Sequence, residues 1–444
     1  MGIMGEERLS RKILVLGASG LIGRFVTDDL RARGFEVTGM ARSLAPSQKA
    51  TSFDVEAPIL SMNADQMAQL ITDRSIDLVV NCLGVLQDGA GSDTRAVHRD
   101  FVERLLQALG RCGRPVRLIH ISIPGTDADD RTAFSATKRE AEHLIRASDI
   151  PYAILRPGFV IAPAAYGGSA MLRALATWPI DLPAAERATP FQPVAAEDIA
   201  ATIAWLAAHH GQAPAGMAWD LMQPQPVNLG GVIDQFRAAF GTARGWRIPV
   251  PTFLLDLGAK LGDFASLLGW SPPLRSTAIA ELRRGVTGDP LPWMTATSIV
   301  PITIDARVGS RTATIQDKWF ARLFLIKALV IASLALFWLV SGFIALIISY
   351  DAAAGILRAH RFPPALVDPV TAVSSLMDMT VGALIAVRRT SAVGLIAGIV
   401  VSLGYMAGAA LLTPDLWIEP LGALVKTGPA IVLMIVALLT LDNR

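Results

Sequence analysis

A chain of 444 residues in which hydrophobic residues make up 52% and charged ones 18% is too apolar for a purely water-soluble enzyme, and part of it is expected in lipid. A formal net charge of +2, with no arginine–lysine stripe interleaved with aromatics, excludes nucleic acid as a partner. Two cysteines, Cys82 and Cys112, cannot build a disulfide scaffold, fit a reducing compartment and lack metal-type spacing, so no metal site is expected. The opening residues MGIMGEERLSRK carry acids and no apolar h-region; they predict no secretory signal and a cytoplasmic N-terminal domain.

Residues 12–23, KILVLGASGLIG, pass from an apolar strand (Ile13, Leu14, Val15, Leu16) through a glycine turn into a helical pattern at Leu21, Ile22, Phe25, Val26 and Leu30. This is the strand–turn–helix opening of a dinucleotide-binding unit, spaced Gly-x-x-Gly-x-x-Gly. Gly17 allows the sharp turn, Gly20 lets the backbone approach phosphates and Gly23 lets the helix pack on the sheet. The pyrophosphate is expected along Gly17, Ala18, Ser19, Gly20, Leu21, Ile22 and Gly23, facing the free N–H groups of the helix start. Residues 36–40 read as the second strand, followed by Ala41-Arg42-Ser43; Arg42 suits the extra phosphate of NADP, with a solvated surface arginine as the alternative. Residues 52–55 read as a short third strand that sets Asp54, next to Val55, toward an adenine. Residues 76–80 form an apolar run into Asn81, Cys82, Leu83 and Gly84, a strand end beside the cofactor. A helix over 96–109 and a buried strand over 116–121, closing on Ser122, follow.

GASGLIG, NCLG, IHISI and then Thr137-Lys138-Arg139-Glu140-Ala141-Glu142 together resemble the extended and atypical short-chain dehydrogenase/reductase superfamily. Within it the chain is most similar to the NmrA-like group and the NAD(P)-binding accessory subunit of respiratory complex I, over roughly residues 10 to 290; LRPGFVIAP (155–163) and PVAAEDIA (193–200) match the same families. The resemblance implies a Ser–Tyr–Lys catalytic set, with the tyrosine four residues before the lysine; the tyrosine moves the proton and the lysine lowers its pKa and holds the ribose. Ser122 and Lys138 occupy two of these places, but the third is Phe134, which can neither donate nor accept a proton. Tyr152 and Tyr166 are conceivable substitutes and read as packing residues. Two readings stay open: hydride transfer with unusual proton delivery, or a domain that binds NADP as a sensing or structural ligand.

Residues 151–157 read as a sixth strand, whose end at Arg156-Pro157-Gly158 would lie by the nicotinamide in the related folds, with Pro157 in contact. Residues 165–190 suit a loop and short helix over a substrate cleft, and 196–208 an amphipathic helix with Glu197 and Asp198 in its first turn. From Trp219 a small lobe follows, with a helix at 229–240 and apolar helical stretches at 249–268 and 275–285, taken as core in preference to a substrate wall; 293–315 reads as a linker.

Residues 323–349 are almost unbroken in apolarity, interrupted by Lys327, and are long enough to cross a bilayer; further spans are expected at 366–387, 392–413 and 423–441. Lys318, Arg322, Arg388, Arg389 and Arg444 on one side, against Arg358, Arg361 and Lys426 on the other, place both termini in the cytoplasm of a bacterial-type inner membrane. The four-helix layout over 318–442 resembles the DoxX-like family, which implies quinone-linked oxidation in some relatives. Asp378, inside the second span, reads as a functional acid or as a packing device paired with Lys327 or a backbone group, and His360 as a headgroup contact. The expected whole is an α/β Rossmann-like doubly wound parallel sheet (10–215), a small α/β substrate lobe and linker (216–317, drawing also on 158–192) and an all-α four-helix transmembrane bundle (318–444). Such a protein would bind NADP, with NAD possible, and act on a small hydrophobic carbonyl or quinone; a homo-oligomer is compatible with it. A nucleotide-gated transporter would need a polar path through the helices, which the sequence offers only at Asp378.

Overall fold

The computed structural model describes residues 11–44, 48, 54–89, 92–243, 245–309, 313–360, 362–418 and 422–441. Arg361, Arg444 and the 52–53 half of the expected third strand lie outside them. The chain divides into two compact units, one of residues 1–263 with 273–321, the other of 264–272 with 322–444. The nucleotide-type domain and the expected lobe therefore fall in one unit, apart from residues 264–272 of the lobe.

In the first unit seven strands among the described residues form one sheet: β1 Lys12–Leu16, β2 Glu36–Ala41, β3 Val55–Glu56, β4 Leu78–Asn81, β5 Arg117–Ile121, β6 Tyr152–Pro157 and β7 Gly216–Leu221. Their order is β7-β6-β5-β4-β1-β2-β3, every pair parallel. This is the doubly wound arrangement, whose order reverses between β1 and β4, where a crevice opens at the C-terminal strand ends. The period of two along β1 explains its apolar run, because both faces are covered. Ile13 and Val15 face Val26 and Leu30 of helix Leu21–Ala32 and Ile199 and Ile203 of helix Ala196–Ala208. Leu14 and Leu16 face Ile71, Phe101 and Leu105 on the other side.

A third apolar cluster packs Leu229, Val232, Ile233 and Phe236 of helix Leu229–Phe240 against Leu172 and Leu175 of helix Gly167–Thr177. Helix Thr252–Leu267 joins it through one face only, with Leu255 and Ala259 buried, so the reading of 249–268 as ordinary core holds for half of that helix.

The described residues of 293–315 are no linker. Helix Leu291–Thr297 places Trp293 at zero exposure in the core beneath the sheet, its indole Nε1–H donating to Thr202 Oγ1 at 2.9 Å. Helix Ile304–Gly309 adds Ile304 and Val308 to the third cluster. The segment is held to helix Ala196–Ala208 by Ile302 N–H donating to Asp198 Oδ2 (3.0 Å) and by Arg307–Glu197 (2.9 Å). Burial resting on Trp293 and Thr297 alone, in a helix of seven residues, leaves too short a pattern to read as a period.

In the second unit, three helices among the described residues are long and apolar enough to cross a bilayer: the continuous run Ile315–Ile348, which begins in the first unit, Pro364–Ala386 and Ser391–Leu412. The last apolar helix, Ala423–Leu439, has 17 residues, at the lower end of the spanning range of roughly 17–25. Close helix approach rests on missing side chains: a Cβ on Gly342 would lie 2.4 Å from Ser375 O, and one on Gly394 2.6 Å from Ile385 N. Asp378 accepts a hydrogen bond from Tyr405 Oη at 2.8 Å; its partner is this phenol and not Lys327.

Truncating Trp293 to alanine should cost about 3–5 kcal/mol, the range for emptying a core aromatic site, in a denaturant titration of the full chain. A loss within about 0.5 kcal/mol, as for an exposed linker residue, would contradict the core assignment.

Candidate nucleotide site

The turn after β1 is built by sterics. Gly17 has φ +84°, where side chains are strained, and its N–H donates to Met40 O at 2.8 Å, tying the turn to β2. A Cβ on Gly23 would sit 2.2 Å from Gly17 O, so only glycine lets the first helix come this close. Gly20, the N-cap, has no side-chain cap, and the first turn has no acid. The donors of that turn, at Leu21, Ile22 and Gly23, thus face outward with helix polarity favouring an anion. These features fit a pyrophosphate, with Ala18 buried beneath the turn and Ser19 on it.

Of the expected adenosine contacts, Arg42 stands exposed one residue beyond β2. Asp54 is turned away from such a role. Its carboxylate, fully buried, is ion-paired with Arg31 and accepts Gly39 N–H at 2.8 Å, bracing β2 against the first helix, while Val55 pairs with Met40. A charge this deep persists because a guanidinium and a backbone donor satisfy it.

At the end of β4, Asn81 Oδ1 accepts Leu83 N–H at 3.1 Å and Asn81 Nδ2 donates to His120 Nδ1 at 3.2 Å. Helix Ala133–Arg146 starts at Thr132, whose Oγ1 accepts Ser135 N–H, and carries Lys138 into the interior. Lys138 Nζ donates to Leu83 O (3.1 Å) and Ile121 O (2.8 Å), bridging the ends of β4 and β5. Gly84 lies directly over it: a Cβ there would be 3.5 Å from Nζ. Burial pulls Lys138 down to about 8, although Cys82 and Glu142 act in the opposite sense, and burial pushes the Cys82 thiol up to about 12, which makes it unreactive.

Phe134 meets the imidazole of His98 edge to face, ring centroids 5.5 Å apart. His98 sits on a π-helical turn, Ala96–Asp100. Its Nε2 accepts Val85 N–H at 3.1 Å, so Nδ1 carries the proton and donates to Thr137 Oγ1 at 2.9 Å. Ser122 Oγ is buried close to Glu142 but outside ordinary hydrogen-bond geometry. Burial alone would raise the Glu142 carboxyl; hydrogen bonding and the charges of Arg156 and Arg139 bring it to about 2. Arg156 Nε donates to Glu142 at 2.9 Å, and Pro157 closes β6 beside Leu221. Ser122, Lys138 and Gly84 thus gather at the C-terminal edge of the sheet. Tyr152 does not: it opens β6, five residues before Pro157, roughly 16 Å away along the strand. Tyr166 is exposed at the start of helix Gly167–Thr177. A cleft of about 760 Å³ borders the start of helix Ala133–Arg146, lined by Asp88, Arg95, Val97, Ala133, Thr137 and Glu140.

Nothing in the sequence marks His98 or His120 as part of the site. A lone histidine in an apolar strand or at a helix start is silent, and the π-turn that aims His98 has no sequence signature.

A family model described as NAD(P)H-binding matches residues 17–206, and one described as the DoxX-like family matches residues 335–435. The dTDP-6-deoxy-L-talose 4-dehydrogenase (NAD(P)(+)) of Kitasatospora kifunensis is 30% identical over 110 residues, 25% of this chain; the chain spans 34% of that protein's length. Among solved structures, the Bordetella bronchiseptica enzyme WbmG in complex with NAD is similar at 16% identity and TM-score 0.50, over 68% of this chain and 93% of that one. A human epimerase family protein with NADPH gives 17% identity and TM-score 0.51, over 67% and 98%. At such identities these two speak for the fold. The chain joins an NAD(P)H-binding domain with a Rossmann-like sheet to a C-terminal DoxX-like domain. With its three long apolar helices, the latter marks a membrane protein.

Both imidazoles are held neutral. Burial first, then repulsion by Lys138, lowers His98 to about 2 and His120 to about 3. Since these folded values lie below the ordinary 6.5, the unfolded chain protonates first as pH falls. Their stability contribution is complete above 6.5 and is lost from there downward, by about 1.4 kcal/mol per pH unit for each imidazole. Urea unfolding of His120→Gln should therefore show a pH slope between 6.5 and 4.5 shallower than wild type by about that amount; superimposable slopes would refute the burial assignment.

Proposed function

We propose that this protein is a membrane-anchored oxidoreductase that binds NADP(H) in preference to NAD(H) and moves hydride to or from a hydrophobic carbonyl or quinone-like substrate. The observation that carries the proposal is Lys138, buried at the end of β4 and β5 beneath a glycine, next to a pyrophosphate-type turn. When bound, the nicotinamide supplies or accepts the hydride. Gly17, Gly20 and the first-helix donors hold its phosphates, Arg42 its additional phosphate, and Lys138 its ribose. Lys138 also holds a proton close to neutral pH at Nζ, the position from which the absent phenol would have been assisted. NADP preference rests on Arg42, and the lipid-soluble substrate class on the DoxX-like domain. Lys318, Arg322, Arg388 and Arg389 support cytoplasmic termini, a bacterial-type inner membrane and four crossings.

A second reading, a non-catalytic NADP-binding sensor or assembly module, is favoured by Phe134: a hydrocarbon ring packed on His98 stands where the superfamily has its proton donor. NADPH oxidation by the purified full chain, with lipophilic quinones and carbonyls, separates the two. The oxidoreductase reading predicts slow turnover by wild type and a rise of about 10²-fold or more in Phe134→Tyr, the scale of a restored general acid. Tight NADP binding without turnover in either protein would establish the sensing reading instead.

A further inference from the structure

Helix Thr252–Leu267 has two apolar faces and only one of them is used. At about 100° per residue, Leu255, Ala259, Gly262 and Ser266 fall on one side. There Leu255 is 7% exposed, Ala259 2% and Ser266 6%, and a Cβ on Gly262 would lie 1.9 Å from Leu274 O. Phe253, Leu257, Leu261 and Phe264 fall on the opposite side, and they are 68%, 49%, 60% and 60% exposed. Between the two faces runs a polar edge of Asp256, Lys260 and Asp263, in which Asp256 pairs with Arg283 (2.9 Å) and Asp263 with Arg275 (3.0 Å). A helix facing water would carry charge where this one carries two phenylalanines and two leucines.

What covers the open face is indicated by where the helix leads. Its last residues and the segment through Pro272 belong to the same compact unit as the spanning helices. Within that unit Trp270 Nε1–H donates to Ala386 O at 2.7 Å, at the terminus of helix Pro364–Ala386. Arg388 N–H donates to Leu268 O at 2.9 Å, and the Arg388 guanidinium lies 5.4 Å over the Trp270 ring. A tryptophan and an arginine at the end of a spanning helix mark the depth of the headgroups. The chain therefore reaches helix Thr252–Leu267 from the membrane–water boundary.

We propose that Thr252–Leu267 is an in-plane membrane helix, its Phe253–Leu257–Leu261–Phe264 stripe inserted among the acyl chains next to the headgroups and its Asp256–Lys260–Asp263 edge in the headgroup layer. The proposal rests on the membrane reading of the second unit and adds to it a lipid contact made by the nucleotide-binding unit.

The test uses the full chain in phospholipid nanodiscs, spin-labelled at single introduced cysteines: Leu257→Cys, Leu261→Cys, Lys260→Cys and, on helix Ser391–Leu412, Leu403→Cys. The unsubstituted chain measures any labelling of the buried Cys82 and Cys112. Collisional accessibility to oxygen over that to a water-soluble nickel chelate is read at each site. The expected result is a ratio several-fold higher at 257 and 261 than at 260, in the direction of the value at 403. Nickel access at 257 and 261 equal to that at 260, with 403 still lipid-exposed, overturns the in-plane helix and leaves the anchor standing. Nickel access at all four sites overturns the membrane reading itself. Low access to both reagents at 257 and 261, or dipolar broadening between labels on two copies, assigns the face to protein and overturns the lipid contact.

Discussion

The close approach of one carbonyl and one glycine governs the nucleotide-binding unit. Gly17 O lies where a side chain on Gly23 would have to be, and the first helix can therefore descend onto β1 with its uncapped start beside the strand end. Every element of the site refers back to that contact. β2 is drawn in by Gly17 N–H on Met40 O, and Asp54, spent on Arg31 and Gly39, fixes β2 to the same helix. β4 continues at Cys82 with its N–H on Leu16 O, which presents Leu83 and Gly84 to Lys138. The result is a row of donors and one buried ammonium along the carboxyl edge of a parallel sheet, the position at which doubly wound folds bind ligands.

Around Lys138 the polar groups are satisfied mostly by one another. His98 is engaged at both nitrogens, Asn81 bridges a backbone amide and His120, and Glu142 is gripped by arginines. A network of this kind in low dielectric orients its members and resists protonation. Phe134 is compatible with it because an aromatic edge on a neutral imidazole requires no proton exchange. Where the pattern that this chain resembles carries a phenol, Phe134 supplies only a hydrocarbon ring.

Much of this was legible in the residue order. Glycines at 17, 20 and 23, apolar runs short enough to be strands, and long uninterrupted apolar segments are local signals with local causes. The failures share a different cause. Asp54 is claimed by Arg31, 23 residues away, and no pattern in the neighbourhood of either announces the pair. Trp293 fills the core from a helix of only seven residues, Asp378 pairs with Tyr405 across 27 residues instead of with Lys327, and His98 is aimed by a π-turn. In helix Thr252–Leu267 the apolar pattern was visible, but two apolar faces look alike in sequence and only packing tells the covered one from the open one.

The central claim is that the turn at 17–23 cradles a pyridine nucleotide. Gly20 allows the sharpest probe, because its φ of −77° is ordinary and a Cβ would meet only Gly17 O, at 3.3 Å, so an acid can be placed there once that carbonyl gives by a few tenths of an ångström. Fluorescence titration of NADPH and NADH into the full-length protein and into Gly20→Asp measures the claim directly. Saturable binding by the wild type, tighter for NADPH, and its loss in the variant at an unchanged melting temperature are the predicted results. Absence of saturable binding of either nucleotide by the wild type, or equal affinity in Gly20→Asp, would contradict it.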